Sequence, residues 1–256
     1  MAPCLAVVIP ALEEAARLPL LLADLAAAPP GLIAERVVVD GGSRDRSDRV
    51  AQLAGARLIR SAAGRGVQLQ RGIAATTAPW LLLLHADARL QPGWAQAVAV
   101  AIAPPPAGSP AVDAAWCFDL AVAAAGLNLR LLELAVACRT RLRHLPYGDQ
   151  GLLLPRRLLE ACGGVAPLPL MEDLDLVLRL RRLAPLRCLG VSLRVDGRRW
   201  RRHGVLACAW RNARLRQAWR RGCSADTLAR LYYGDRPAQG EYQKAQRRFW
   251  GSSSQP

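Results

Sequence analysis

Leu81-Leu82-Leu83-Leu84-His85-Ala86-Asp87-Ala88-Arg89-Leu90 is the stretch on which the fold turns. Its apolar run reads as a strand buried on both faces, and it leads straight into an acid where the sheet should end. In open α/β sheets the ligand crevice lies just beyond the carboxyl ends of the strands, so a carboxylate delivered there can hold a metal or a phosphorylated substrate. Arg36-Val37-Val38-Val39-Asp40-Gly41-Gly42-Ser43 repeats the arrangement earlier in the chain. Two acids at two strand ends predict a site.

Around these two stretches, strands and helices alternate. Leu5 to Ile9 reads as the first strand, and Glu13 to about Ala28 as a helix with Leu18, Leu21, Leu22 and Leu25 on its apolar stripe. Ser43 or Ser47 caps a helix running to about Gly55, and Arg57 to Arg60 is a short third strand. Gly64-Arg65-Gly66 is a loop before a helix from Val67 to Thr77, and Trp80 to Leu84 follows as a strand. This order, with connections long enough for right-handed crossovers, predicts an α/β fold with a mostly parallel sheet sandwiched by helices. The second half is less regular. Helices are expected at Trp94 to Ala103, Leu127 to Arg143, Glu172 to Leu183 and Gly204 to Gly222, strands at Ala115 to Leu120 and Leu186 to Val195, and a loop at Pro104 to Pro110. The segment from about Gly234 to Pro256 reads as a loose tail.

With 256 residues, 52% of them hydrophobic, the chain is long enough for a full core, and residues 1–233 are expected to form one domain. The N-terminal residues have no basic n-region and too short an apolar run for a signal peptide. Gln91, Pro92, Gln96 and the Pro104-Pro105-Pro106 break interrupt the longest uncharged stretch, so a membrane-spanning helix is not expected. Seven cysteines, with no C-x-x-C pair, argue against a disulfide framework or a zinc knuckle and suit a reducing cytoplasm. The net charge of +15 is concentrated: Arg187 to Arg221 holds eleven Arg against the single acid Asp196. That density suits an anionic partner such as nucleotide phosphates, acidic lipid headgroups or nucleic acid. Lys244 is the only lysine, so part of the Arg content reflects overall composition.

The candidate chemistry follows from residue types. Asp40, followed by Gly41, can meet a nucleotide base or ribose, or simply cap a turn. Asp87 offers hard oxygen to Mg²⁺ or Mn²⁺. Glu172 and Asp173 open a helix, where acids are favoured by the unpaired amides; alternatively one is a general base and its neighbour an orienter, while Asp175 is solvated or salt-bridged. His203 is a metal-ligand or phosphate candidate, or a surface residue. Arg198 and Arg199 present guanidinium forks suited to phosphate, and Trp200 can wall a pocket. Trp210 and Trp219, on the basic helix that follows, fit either an amphipathic membrane-facing surface or ordinary packing.

Taken together, Val8-Ile9-Pro10-Ala11-Leu12-Glu13-Glu14, Val39-Asp40-Gly41-Gly42-Ser43-Arg44-Asp45, Gly64-Arg65-Gly66 with Gln68 and Gly72, His85-Ala86-Asp87 and Glu172-Asp173 resemble, in order and spacing, the family 2 glycosyltransferases of the GT-A fold. Gly148-Asp149-Gln150-Gly151 and Arg198-Arg199-Trp200 further resemble a bacterial subgroup, the radical-SAM/selenodomain-associated transferases, some of whose relatives are described as carotenoid-acid glucosyltransferases of the membrane surface. The resemblance implies a GT-A-type nucleotide-sugar-binding fold, with a nucleotide-binding half at about 1–90 and an acceptor-side half at about 91–233. It implies a UDP- or GDP-sugar donor held by Pro10, Ala11, Glu13, Asp40, Gly41, Arg65, Gln68, His85, Ala86, Arg198, Arg199 and Trp200. A divalent cation (Mg²⁺ or Mn²⁺) would sit on Asp87, with His203 as a second ligand, and Asp173 would be the base beside Glu172. Tyr147, Gly148, Asp149 and Gln150 would face a small-molecule or lipid acceptor offering a hydroxyl or carboxylate. Transfer would be a single inverting displacement in the cytoplasm or at the inner face of the cell membrane, with peripheral contact to anionic lipid and no nucleic acid.

Two departures from the family pattern stand out. His85 occupies the place of the first acid of the usual Asp-x-Asp pair, so affinity for free metal should be weak. Asp196-Gly197-Arg198-Arg199-Trp200 replaces the Gln-x-x-Arg-Trp of processive polymerases, which favours a single addition. Two alternatives stay open at this point: a nucleotidyltransferase of related fold, although Pro10-Ala11-Leu12-Glu13-Glu14 is not its Gly-rich loop, and a non-catalytic basic module binding nucleic acid or anionic membrane.

Overall fold

The computed structural model describes residues 4–104 and 113–233; the expected tail and most of the Pro104 to Pro110 loop lie outside the described residues. The strands are β1 (Leu5–Ala11), β2 (Ile33–Asp40), β3 (Arg57–Arg60), β4 (Trp80–Leu83), β5 (Ala88–Leu90), β6 (Ala115–Ala123), β7 (Leu152–Pro155) and β8 (Leu186–Asp196). The helices are α1 (Leu18–Ala26), α2 (Ser47–Leu53), α3 (Arg65–Ala74), α4 (Trp94–Ile102), α5 (Leu127–Arg143), α6 (Arg156–Ala161), α7 (Glu172–Leu180), α8 (Arg198–His203), α9 (Val205–Arg220) and α10 (Ala225–Tyr233). A 3-10 turn spans Gly148–Gln150.

Among the described residues the strands join one sheet in the order β3-β2-β1-β4-β7-β6-β8-β5. The first four are parallel, as the alternating pattern predicts, with Val8 beside both Val37 and Leu83. In the second half β6 and β8 are again parallel, but β7 runs antiparallel to β4 and β6, and β5 antiparallel to β8. The link from β4 to β5 sets the shape of the sheet. Leu83 and Ala88 are joined by a chain that reaches at most about 18 Å, and the bond from the Ala88 amide to the His85 carbonyl folds it into a turn. Four strand spacings in a flat sheet would need about 19 Å. The sheet therefore curls until its last edge meets the carboxyl end of β4, and His85-Ala86-Asp87 lies across the mouth of the curl.

Both faces of the sheet are covered, which explains why β1 is buried along its whole length. Ala6, Val8, Val37, Val39, Leu81 and Leu83 pack with α7 and α10 in one core. Leu5, Val7, Ile9, Val38 and Leu82 pack with α1 and α4 in the other. A buried Leu contributes about 1.5 to 3 kcal/mol relative to an exposed one, so these alternating sets fix the register of β1 between its neighbours. At Gly72, α3 sits so close to the sheet that an added Cβ would stand 2.4 Å from Val8 Cγ1 and 2.8 Å from Val39 Cγ2. A third cluster joins Leu129 and Val136 of α5 to Trp200 of α8 and Cys208 of α9.

The helix expected from Glu13 begins only at Leu18. Side chains of the following loop take its amides first: Glu13 N–H donates to Ser43 Oγ at 3.0 Å, Glu14 N–H to Ser47 Oγ at 2.9 Å and Ala15 N–H to Asp45 Oδ2 at 2.9 Å. Helix α10 was not expected from the sequence. Its cap is nevertheless legible, since Thr227 N–H donates to Ser224 Oγ at 3.2 Å.

Candidate active site

A cleft of about 570 Å³ opens at the carboxyl ends of β1 and β4. It is walled by Pro10 and Ala11, by Arg65 and Gln68 of α3, by His85, Ala86 and Asp87, by Tyr147, Asp149 and Asp173, and by Arg198 and Trp200 of α8. Asp87 and Asp173 thus share one cavity although they lie on separate elements.

Asp87 lies half-buried in the turn between β4 and β5, and among the described residues its carboxylate has no hydrogen-bond or ion-pair partner. Glu14 lies on the same wall. Burial raises the Glu14 carboxyl above its ordinary range, Arg198 pulls it back, and the Asp87 charge adds to the rise. Glu14 is tied to Arg198 at 2.9 Å and to Arg17 at 3.3 Å. One open carboxylate beside a second that arginines already hold fits a divalent cation bound jointly with a diphosphate. Among the described residues no group of three His, Cys, Asp or Glu could hold a metal unaided.

Asp173, in the first turn of α7, is oriented by backbone: Gly148 N–H donates to its Oδ2 at 2.8 Å and Leu174 N–H to its Oδ1 at 2.7 Å. A side chain at Gly148 would crowd His85 and Asp173. A Cβ there would lie 2.8 Å from His85 Nε2 and 3.2 Å from Asp173 Oδ2.

Glu172, expected beside Asp173 at the reaction, lies outside the cleft wall with 1% exposure. Its Oε1 meets Arg65 Nε at 3.0 Å, and its Oε2 is buried with no hydrogen-bond partner. Helix geometry turns neighbouring residues about 100° apart, so when Asp173 faces the cleft Glu172 faces α3. The nearby Glu172 charge raises the Arg65 guanidinium above its ordinary value, and a bond to Tyr233 of α10 adds to this. Burial pushes Glu172 up to about 7 against the pull of Arg65. A carboxyl raised in the folded state gives stability that is complete below its unfolded value, near 4.5, and is lost as pH rises through about 7. Glu172→Gln should therefore gain on the parent by on the order of 3 kcal/mol between pH 4.5 and 8. Urea unfolding at several pH values reads this, and a parent-to-variant difference independent of pH would refute it.

Several expected site residues stand elsewhere. Glu13 has a φ of 57°, which turns it outward while Glu14 faces the cleft; its carboxylate accepts the Arg44 amide at 2.8 Å. Asp40 is buried behind the wall, and its oxygens accept Gly42 N–H at 3.1 Å and Ser43 N–H at 3.2 Å, the turn-capping reading. Gly41, next to it, donates its amide to Ala11 O and is likewise not part of the wall. Gln68 reaches the wall, but its amide donates to Ala11 O at 2.8 Å and Val39 O at 2.7 Å, clamping β1 to β2. Gln150 is fully buried; its amide donates to Phe118 O and its Oε1 accepts from Arg139 and Thr140, so it holds the turn rather than facing an acceptor. His203 is exposed and off the wall. It lies five positions beyond Arg198, about 140° round the helix axis, so Arg198 and His203 cannot face the cleft together. The Arg199 side chain lies outside the described residues. Asp175 is salt-bridged to Arg179 at 2.6 Å, one of its two expected states.

Sequence reasoning missed the far wall. Asn212 and Arg216 of α9 and Asp226, Arg230 and Tyr232 of α10 line it. Arg139 and Arg216 stack on Tyr147, with guanidinium carbons 3.7 and 5.1 Å from the ring centre. All seven cysteines are free thiols.

Comparison with known proteins agrees with this architecture. Residues 6–117 match the family described as glycosyl transferase family 2. Crystal structures of glucosyl-3-phosphoglycerate synthase from Mycobacterium tuberculosis share the fold. The complex with Mn²⁺, UDP and glucosyl-3-phosphoglycerate superposes with a TM-score of 0.53 at 22% identity, covering 74% of this chain and 71% of that one. The complex with phosphoglyceric acid gives 0.55 at 22% identity over 75% and 71%. The complex with Mn²⁺ and UDP-glucose gives 0.53 at 22% identity over 74% and 70%. No protein of curated function matches the sequence.

Proposed function

We propose, from the match of residues 6–117 to glycosyl transferase family 2, that the chain moves one sugar from a nucleoside-diphosphate sugar to an acceptor hydroxyl or carboxylate with inversion. The observation that carries this reading is the convergence of the open Asp87 carboxylate and the oriented Asp173 carboxylate on one cleft.

Each residue then has a task. Pro10 and Ala11 border the nucleoside, and Trp200 closes its side. Arg65, fixed by Glu172, and Arg198 present guanidinium donors to the diphosphate oxygens. Asp87 would hold the divalent cation together with that diphosphate, and the cation would supply charge neutralisation for the leaving group. Tyr147, Asp149, Asn212 and Arg216 face the acceptor side. The acceptor oxygen attacks the anomeric carbon while the bond from that carbon to the diphosphate oxygen breaks. Its electron pair leaves with the nucleoside diphosphate, and the hydroxyl proton passes to the Asp173 carboxylate. The Gly148 amide keeps Asp173 in place for that transfer. UDP-glucose is the first donor to try, since a structural neighbour was crystallised with it.

A thermal-shift panel of UDP-glucose, UDP-galactose, GDP-mannose and ATP, each with and without Mn²⁺, tests the proposal. A nucleotide sugar at a hundred times its Kd adds about 2.7 kcal/mol of stability, or roughly 5 to 10 °C in a chain of this length. A shift from a nucleotide sugar that requires Mn²⁺ is the expected result. A shift from ATP alone would point to nucleotidyl transfer instead.

A further inference from the structure

Helix α5 is apolar on two opposite faces. Leu129 and Val136 point into the third core. Leu127, Leu131, Leu134 and Leu142, exposed by 75, 56, 61 and 79%, fall together with exposed Ala135 and Cys138 on the other side. At about 100° per residue they span only about 100° of arc, a continuous stripe along the helix. Folding into this sheet needs only one apolar face, so the outer stripe is not explained by the core. Helix α9 packs beside α5 and shares that core through Cys208. It repeats the pattern, with Leu206 80% and Trp210 63% exposed on the side away from Cys208.

The charge around the stripe selects its occupant. Arg143 ends α5, and Arg201, Arg202 and Arg214 stand exposed on α8 and α9. The acids nearest α5 are already neutralised, Glu133 by Arg130 at 2.6 Å and Asp119 by Arg141 at 2.9 Å. A second copy, itself carrying +15, would be repelled from this surface, whereas an anionic bilayer attracts it. Among the described residues no helix is long and apolar enough to cross a membrane, so any contact lies in the interface plane.

We propose that the outer faces of α5 and α9 form a docking surface for an anionic lipid bilayer. Leu127, Leu131, Leu134, Leu206 and Trp210 enter the acyl boundary, and the arginines rest among the headgroups. Asn212 and Arg216, on the other side of α9, line the cleft, so docking sets the acceptor wall next to the lipid. The surface stands on its own observations and does not depend on which sugar donor is used.

Vesicle flotation of the full chain tests this, comparing phosphatidylglycerol/phosphatidylcholine vesicles with phosphatidylcholine alone. The parent should float with the anionic vesicles only. Leu131→Glu/Leu134→Glu should lower that binding by about tenfold or more through lost apolar insertion, and Trp210→Glu should act in the same direction. Because these side chains are exposed, thermal unfolding and nucleotide-sugar binding should stay at parent values, separating lost docking from a failed fold or donor site. Equal flotation of parent and variants would overturn the proposal. So would a parent dimer in sedimentation that Leu131→Glu/Leu134→Glu splits without any vesicle binding, since the stripe would then serve self-association.

Discussion

Asp173→Asn should lower turnover by about a hundredfold or more, the usual worth of a general base, while leaving the Kd for the nucleotide sugar at the parent value. The separation follows from geometry. The Asp173 carboxylate is oriented by the Gly148 amide at 2.8 Å on the side of the cleft that Tyr147 and Asp149 share, whereas the arginines assigned to the diphosphate are held by other acids. Asparagine retains the shape and an acceptor oxygen for Gly148 but cannot take a proton at neutral pH. Single-turnover kinetics with the donor saturating isolates the chemical step from binding. Unchanged turnover would remove Asp173 from proton transfer and point to an acceptor that is already an anion, such as a carboxylate, which has no proton to give.

Asp87→Ala has the second large effect, and here binding should change. Asp87 borders the cleft with its carboxylate open among the described residues, and Glu14, on the same wall, cannot replace it because Arg17 and Arg198 occupy its oxygens. Losing the carboxylate assigned to the cation should cost several kcal/mol of leaving-group stabilisation, on the order of a hundredfold or more in turnover. Donor affinity should fall as well, and added Mn²⁺ should not restore it. Calorimetric titration of the donor across a Mn²⁺ series checks this. The same limiting affinity in variant and parent would show that the cation is held elsewhere or not required.

The legible part of the site was the part written in local sequence. Asp87 and Arg198 can be placed from a strand end and a basic helix start, and both border the cleft. Glu172 and Asp173 are adjacent, and no local pattern says which faces the cavity; the rotation of α7 decides it, sending Glu172 under Arg65. Glu13 and Glu14 pose the same problem, resolved by one left-handed backbone residue. Gln68 and Gln150 were expected at the site because they belong to stretches that resemble the family's motifs. Their amides instead donate to buried carbonyls, Ala11 O at the end of β1 and Phe118 O at the irregular step within β6. The walls from α9 and α10 carry no motif at all, because an acceptor side is defined by which helices return to the sheet.

The alternation of apolar strands, helices and strand-terminal acids was determined by the sequence itself, since side-chain period and turn chemistry act over a few residues. That is enough to specify parallel β1 to β4 and to set Asp40 at the carboxyl end of β2 and Asp87 just beyond β4. Only the tertiary structure decided that the sheet curls and takes in β7 and β5 antiparallel to their neighbours, that Asp87 and Asp173 meet across one cleft, and that α5 keeps a second apolar face outward. Those outcomes depend on long-range packing, in which a helix rotation of about 100° per residue exchanges a buried group for an exposed one.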